Sequence, residues 1–189
     1  IWSIQDRNIM STIKVSTIAP LGTDATKTIT IGDITNGDVA AGAFSSTPSF
    51  RATNSSIQTI SLATATKVTL DTVSYDTDSG FSSSKYTVPT GKGGKYYISL
   101  QCSFESSSDY DEVWLRVYKN GSHHVGLEAR NKTAGNNFNA GSSQRMNTSG
   151  VMDLSAGDYL EMYGILGGAG TPQFNSGQAV FSGFRIVGV

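Results

Sequence analysis

The chain has 189 residues, with 14 Lys and Arg against 15 Asp and Glu and a formal net charge of −1, so it lacks the basic footprint that a nucleic-acid backbone or an anionic membrane surface demands. Hydrophobic residues make up only 38% and glycines number 21, a balance that favours many short strands with frequent turns over long helices. The one cysteine, Cys102, has no partner for an intrachain disulfide, and no apolar run reaches the length of a membrane-spanning helix, which excludes insertion by that route.

The length predicts one domain with an appendage. Residues 1–11 show neither the charged start nor the apolar middle of a signal peptide, and Met10-Ser11 reads as a start site with residues 1–9 upstream of it. Thr and Ile dominate two short extended runs, 13–18 and 26–31, separated by Pro20, Gly22 and Asp24. These predict strands with too little apolar surface to fold alone, so the segment needs either three chains wound together or a docking site. Residues 38–47 are small and polar and read as a linker. The expected division is therefore 1–47, an N-terminal extension with a short β stalk or anchor and its linker, and 48–189, a head.

Within the head the pattern is one of alternation. Tyr96, Ile98, Leu100, Cys102 and Phe104 fall on one face of an extended strand, with Lys95, Tyr97, Ser99, Gln101 and Ser103 on the other. Val113, Leu115 and Val117 repeat it, and Asn120-Gly121 supplies the positive backbone angles of a two-residue hairpin turn. Val125, Leu127 and Ala129 are expected to face inward on the return strand. Residues 131–150, poor in apolar side chains and rich in Asn, Ser and Gly, read as a long exposed loop. Residues 151–154, 159–166 and 179–189 read as later strands, with Ala156-Gly157-Asp158 as a turn. Many short strands at this spacing predict an all-β sandwich.

A family resemblance narrows that class. Leu70, Asp76, Phe81, Val88 and then Gly94-Lys95-Tyr96-Tyr97-Ile98-Ser99-Leu100 stand at fixed intervals that resemble those of the globular head of complement component 1q, a fold shared with tumour-necrosis-factor ligands. Asp76, Phe81, Gly94 and Tyr96 match by residue type, while Leu70, Val88 and Ile98 put aliphatic side chains at aromatic positions. The later runs Leu115-Arg116-Val117-Tyr118-Lys119-Asn120-Gly121, Leu154 to Leu160 and Phe181-Ser182-Gly183-Phe184 resemble the family's later segments in order, so the likeness covers residues 48–189. It implies a ten-stranded jelly roll, homotrimeric and without enzymatic activity. Short Thr/Ile/Gly-rich leaders ahead of such a head are similar to those of bacteriophage tail-fibre and other virion proteins. The expected product is thus a structural or adhesion protein of a phage particle, as tail fibre, head fibre or capsid decoration. Its expected partners are itself, other virion proteins through the N-terminal segment, and a host-surface glycan or protein. The alternative is a secreted recognition ligand of the same superfamily.

Chemistry-bearing residues are few. His123 and His124 are adjacent, and on a strand they point to opposite faces. A three-fold axis gathering one histidine per subunit around a metal is conceivable, but solvated residues beside a turn account for them better. Cys102, within the apolar set, reads as a core thiol rather than a nucleophile. Tyr75-Asp76-Thr77-Asp78 and Asp109-Tyr110-Asp111-Glu112 offer oxygen ligands, and some heads of the resembling family hold calcium, but neither run has calcium-loop spacing. No cofactor is expected. Gly91-Lys92-Gly93-Gly94 lacks the ending of a phosphate loop and reads as a turn. No Gly-x-Ser-x-Gly elbow is present, and a glycan-degrading enzyme would need a carboxylate pair in a cleft where the sequence offers only loop acids. Asn-x-Ser/Thr sequons begin at Asn54, Asn120, Asn131 and Asn147. Tyr97, Trp114 and Tyr118 lie on outward positions and are the expected trimer contacts. Arg130, Lys132, Asn136, Asn137, Asn139 and Arg145 are the expected ligand-contact set, offering amide and cationic donors.

Overall fold

The computed structural model describes residues 47–135 and 138–186. The expected leader strands at 13–18 and 26–31, and Asn136 and Asn137 of the expected ligand set, lie outside the described residues, as do residues 187–189. Thirteen strands follow one another: β1 (Ser49–Thr53), β2 (Gln58–Thr59), β3 (Thr66–Lys67), β4 (Thr72–Asp76), β5 (Phe81–Ser82), β6 (Lys85–Thr87), β7 (Gly94–Ser106), β8 (Tyr110–Lys119), β9 (Ser122–Lys132), β10 (Gln144–Leu154), β11 (Tyr159–Gly168), β12 (Pro172–Phe174) and β13 (Val180–Arg185). Three of them, β2, β3 and β5, are only two residues long, which leaves ten strands of three or more.

They form two antiparallel sheets, an all-β jelly-roll sandwich. Sheet A runs β2-β12-β7-β13-β1-β4, with β10 also on β7; sheet B runs β5-β6-β11-β8-β9, with β3 also on β11. Strand β7 is long enough to pair with both β12 and β13 in succession and with β10 over residues 94–104. The core lies between the sheets, where the alternating residues meet. Tyr96, Ile98, Leu100, Cys102 and Phe104 from sheet A, and Val113, Leu115 and Val117 from sheet B, are all fully buried. Aromatic rings interlock at this seam: Phe50 stacks on Tyr86 at 4.0 Å and meets Phe181 edge-on at 5.0 Å. Such pairs add stabilisation beyond the area they bury.

Two expectations of the sequence do not hold. Residues 131–150 are not one loop: β9 continues to Lys132 and β10 begins at Gln144, so only 133–143 connects them. Even that connection is fastened. Phe138 forms a two-way backbone bridge with Tyr110, its ring 5.2 Å away, and the Tyr110 hydroxyl donates to the Ser142 carbonyl at 2.6 Å. Val125 is not inward but 73% exposed. The β8–β9 register passes from Arg116↔Glu128 to Tyr118↔His123, so the return strand carries extra residues at this bulge and the alternation loses phase. Leu127, beyond the bulge, is buried as expected. The Asn120-Gly121 turn has φ of +53° and +79°, the hairpin geometry those residues favour.

Candidate functional site

The outer face of sheet B carries the densest cluster of charged and aromatic side chains. Its rows follow from register: Lys132↔Glu112↔Gly167, Arg130↔Trp114↔Ile165 and Glu128↔Arg116↔Tyr163 cross β9, β8 and β11. Directly opposed residues on one sheet face are neighbours, so Trp114 is bracketed by arginines on its own strand and the next. The Arg116 guanidinium carbon sits 3.5 Å from the Trp114 ring centre, and that of Arg130 sits 4.1 Å from it. Glu112 anchors the arrangement. It accepts hydrogen bonds from Trp114 Nε1, from Arg130 Nε at 2.7 Å and from Lys132 Nζ at 3.2 Å. Burial pushes its carboxyl pKa up, but the hydrogen bonds from Trp114, Arg130 and Lys132 outweigh that and hold it below the usual glutamate range.

Arg116 is held differently. Glu128 Oε2 lies 3.4 Å from Arg116 Nε, as an ion pair, and 2.9 Å from His123 Nε2, yet none of these three buried atoms makes a hydrogen bond. Beside Trp114 and the two arginines the surface sinks into a depression of about 250 Å³, lined also by Ala63, Glu112, Ile165 and Gly167. Further along the same face, Tyr118 stacks on Tyr163 at 3.9 Å and approaches His123 at 5.9 Å.

The outer face of sheet A is of another kind. Val151, Tyr97 and Phe184 are cross-strand neighbours on β10, β7 and β13, with the Tyr97 and Phe184 rings 5.4 Å apart. The adjoining row is Ser149, Ser99 and Ser182. Val151 is 58% and Phe184 40% exposed, and Tyr75 on β4 is 48% exposed.

The expected site residues therefore redistribute. Trp114 and Tyr118 share sheet B, whereas Tyr97 lies on sheet A, so the three expected trimer contacts stand on opposite outer faces. Arg130 and Lys132, expected with the loop, join Trp114 around Glu112. Arg145 belongs to β10 on the other sheet and donates to Gln178 Oε1 at 2.7 Å. Asn139 sits in the 133–143 connection, where its carbonyl accepts from Ser142. Sequence reasoning passes over Arg116 and takes Glu112 only as one of a run of loop acids. The signal that finds them is spacing, two residues either side of Trp114 on a strand whose outward positions are legible.

The other candidates have structural partners. The Asp76 carboxylate accepts from the backbone of Gly80 and Phe81 at 3.1 and 2.8 Å and so closes the turn after β4. Asp109 accepts from Ala140 N at 2.9 Å. Among the described residues no three His, Cys, Asp or Glu side chains converge as metal ligands. Lys92, in the glycine-rich turn, pairs with Asp78 at 3.4 Å. Asn54, the first sequon, is only 4% exposed; its amide donates to Asn175 O and accepts from Ala179 N, each at 2.8 Å. That side chain fastens two loops and has no room for a glycan.

Strand order, antiparallel register and the two-sheet core define a jelly roll of the complement-1q and tumour-necrosis-factor kind. The globular domain of zebrafish complement 1qA protein matches with a TM-score of 0.52 at 19% sequence identity, over 74% of this chain and 97% of that one. The structure of Eiger TNF from S. frugiperda matches with a TM-score of 0.55 at 11% identity, over 75% and 93%. At such identities the likeness is one of fold. No family model matches the sequence, and no curated protein does.

Proposed function

We propose that this chain is a non-enzymatic binding head of a bacteriophage virion, acting as a homotrimer in a tail fibre, head fibre or capsid decoration and attaching to a host-surface glycan or protein. The observation that carries the reading is the apolar row Val151, Tyr97 and Phe184 on the outer face of sheet A. Single exposed apolar side chains are ordinary on a soluble protein, but a contiguous row across three paired strands calls for a covering surface. A second copy of the chain supplies it. Three heads held together would raise the effective concentration of individually weak sites, which suits repeated surface glycans. The Thr/Ile-rich segment at 13–31 supports attachment to other virion proteins.

Size-exclusion chromatography with light scattering should report three chains; a single chain at micromolar concentration would overturn the assembly. Mass spectrometry of purified phage particles should detect the protein, and its absence there would overturn the virion placement. Shortening the 133–143 connection while keeping Phe138 and Ser142 on Tyr110 should preserve the trimer and abolish adsorption to host cells. The likeness in fold to a complement head and a tumour necrosis factor favours the second reading, a secreted recognition ligand, which predicts a trimer that adsorbs to no bacterial surface.

A further inference from the structure

We propose that the depression on the outer face of sheet B binds the carboxylate-bearing unit of an acidic saccharide, with Arg116 as the carboxylate's partner. This deepens the binding-head reading and rests on it. The first argument is hydrogen-bond accounting. Buried polar groups are nearly always paired, and Glu112 shows how thoroughly this face pairs its charges, with three donors on one carboxylate. Arg116 is an exception, together with the neighbouring Glu128 and His123. The Arg116 side chain is 14% exposed, and its Nε, 3.4 Å from Glu128 Oε2, makes no hydrogen bond. A guanidinium lying over an indole ring keeps its in-plane N–H donors available, in a fork that matches a carboxylate. The site thus holds a guanidinium fixed over an indole ring whose Nε is without a hydrogen bond.

Shape narrows the class further. Arg116, Arg130 and Lys132 are matched by Glu112, Glu128 and, beside Gly167, Asp111, so an anion is selected here by the Arg116 guanidinium and not by an excess of charge. The depression is smaller than the roughly 300 Å³ at which clefts for drug-sized ligands begin, a volume for one sugar ring and not for a chain of them. Its walls combine the apolar Ile165 and Ala63 with Gly167, where a side-chain carbon would stand 3.3 Å from Glu112 Cβ. An apolar wall beside fixed donors suits a pyranose, which has a carbon-hydrogen face and a hydroxyl rim. A bare inorganic anion would leave that wall unused.

The test follows the indole N–H resonance of Trp114 by NMR in the full chain, assigned with Trp114→Phe, because this group donates to Glu112 within the site. Sodium glucuronate should shift it saturably, while glucose and sodium acetate at equal concentration should not. Arg116→Gln should weaken glucuronate binding at least about tenfold. Ile165→Ala, which strips the apolar wall of the depression and leaves every charged group in place, should weaken it as well. No response to glucuronate, an equal response to acetate or glucose, or wild-type affinity in both variants would each overturn the assignment. If shortening 133–143 abolishes adsorption and glucuronate leaves the Trp114 resonance unmoved, the binding head stands and this site is refuted.

Discussion

Replacing Asp158 with Asn tests how the turns at one end of the sandwich are tied together. Asp158 Oδ1 accepts from Asn120 Nδ2 at 2.7 Å, and Oδ2 accepts from Ser155 N at 2.8 Å and faces Lys119 Nζ at 2.9 Å. One carboxylate thereby joins the β8–β9 turn to the β10–β11 turn. Asn120, Lys119 and Ser155, in that order of effect, pull its pKa down from 3.8 to about 2. A fall of that size would correspond to roughly 2.5 kcal/mol, but the carboxylate lies at the rim, where water screens it, so about 1–1.5 kcal/mol is expected. A carboxyl whose folded pKa is depressed contributes its stability above the unfolded value, and that contribution is lost as pH falls through the folded one. Urea unfolding at fixed protein concentration should therefore show Asp158→Asn less stable than wild type by this amount at pH 7. The gap should narrow between about pH 4 and pH 2. An equal gap at pH 7 and pH 2, or none at pH 7, would refute the charge-based account.

Gly164→Ala should destabilise the head by about 2–3 kcal/mol, because a Cβ there would lie 2.5 Å from the Phe174 ring and 2.8 Å from that of Phe104; calorimetry should show a Tm lower by roughly 4–12 °C. Cys102 is fully buried and burial pushes its thiol pKa far up, so a thiol reagent should label it only in denaturant, and rapid labelling of the native protein would contradict its place in the core.

The core was legible because its code is local. Five alternating residues from Tyr96 to Phe104 specify a buried strand face without reference to anything distant, and all five are buried. Strand β10 was not legible beyond its last residues, for a reason visible in its inward set: Gln144, Met146, Thr148 and Gly150 precede Met152 and Leu154. Gly150 packs beneath Leu127, where a Cβ would come within 3.0 Å, so the alternation there is one of size rather than hydropathy. Eleven residues pair with β7, and that ladder makes the strand. The arginine-indole cluster was half legible. Outward placement of Trp114 follows from its own strand, but pairing with Arg130 depends on a register that a bulge resets, which no local pattern announces.

The two outer faces separate residues that sequence reasoning groups together, and this gives a prediction. On sheet B the monomer covers its own aromatics, Trp114 with Arg116 and Arg130, and Tyr118 with Tyr163. On sheet A the row Val151, Tyr97 and Phe184 is flanked by serines on one side and by Lys95 and Asp153 on the other, and the covering surface proposed for it is a second copy of the chain. Tyr97→Glu should therefore place an unpaired charge at the subunit contact, where uncompensated burial costs about 3–5 kcal/mol. Light scattering should then report single chains, with the core strands still folded by circular dichroism. Trp114→Glu should remain trimeric if sheet A is the contact, because Trp114 lies on the outer face of the other sheet. Dissociation by Trp114→Glu with an intact Tyr97→Glu trimer would place the contact on sheet B instead. It would also leave the apolar row on β7, β10 and β13 without a role in assembly.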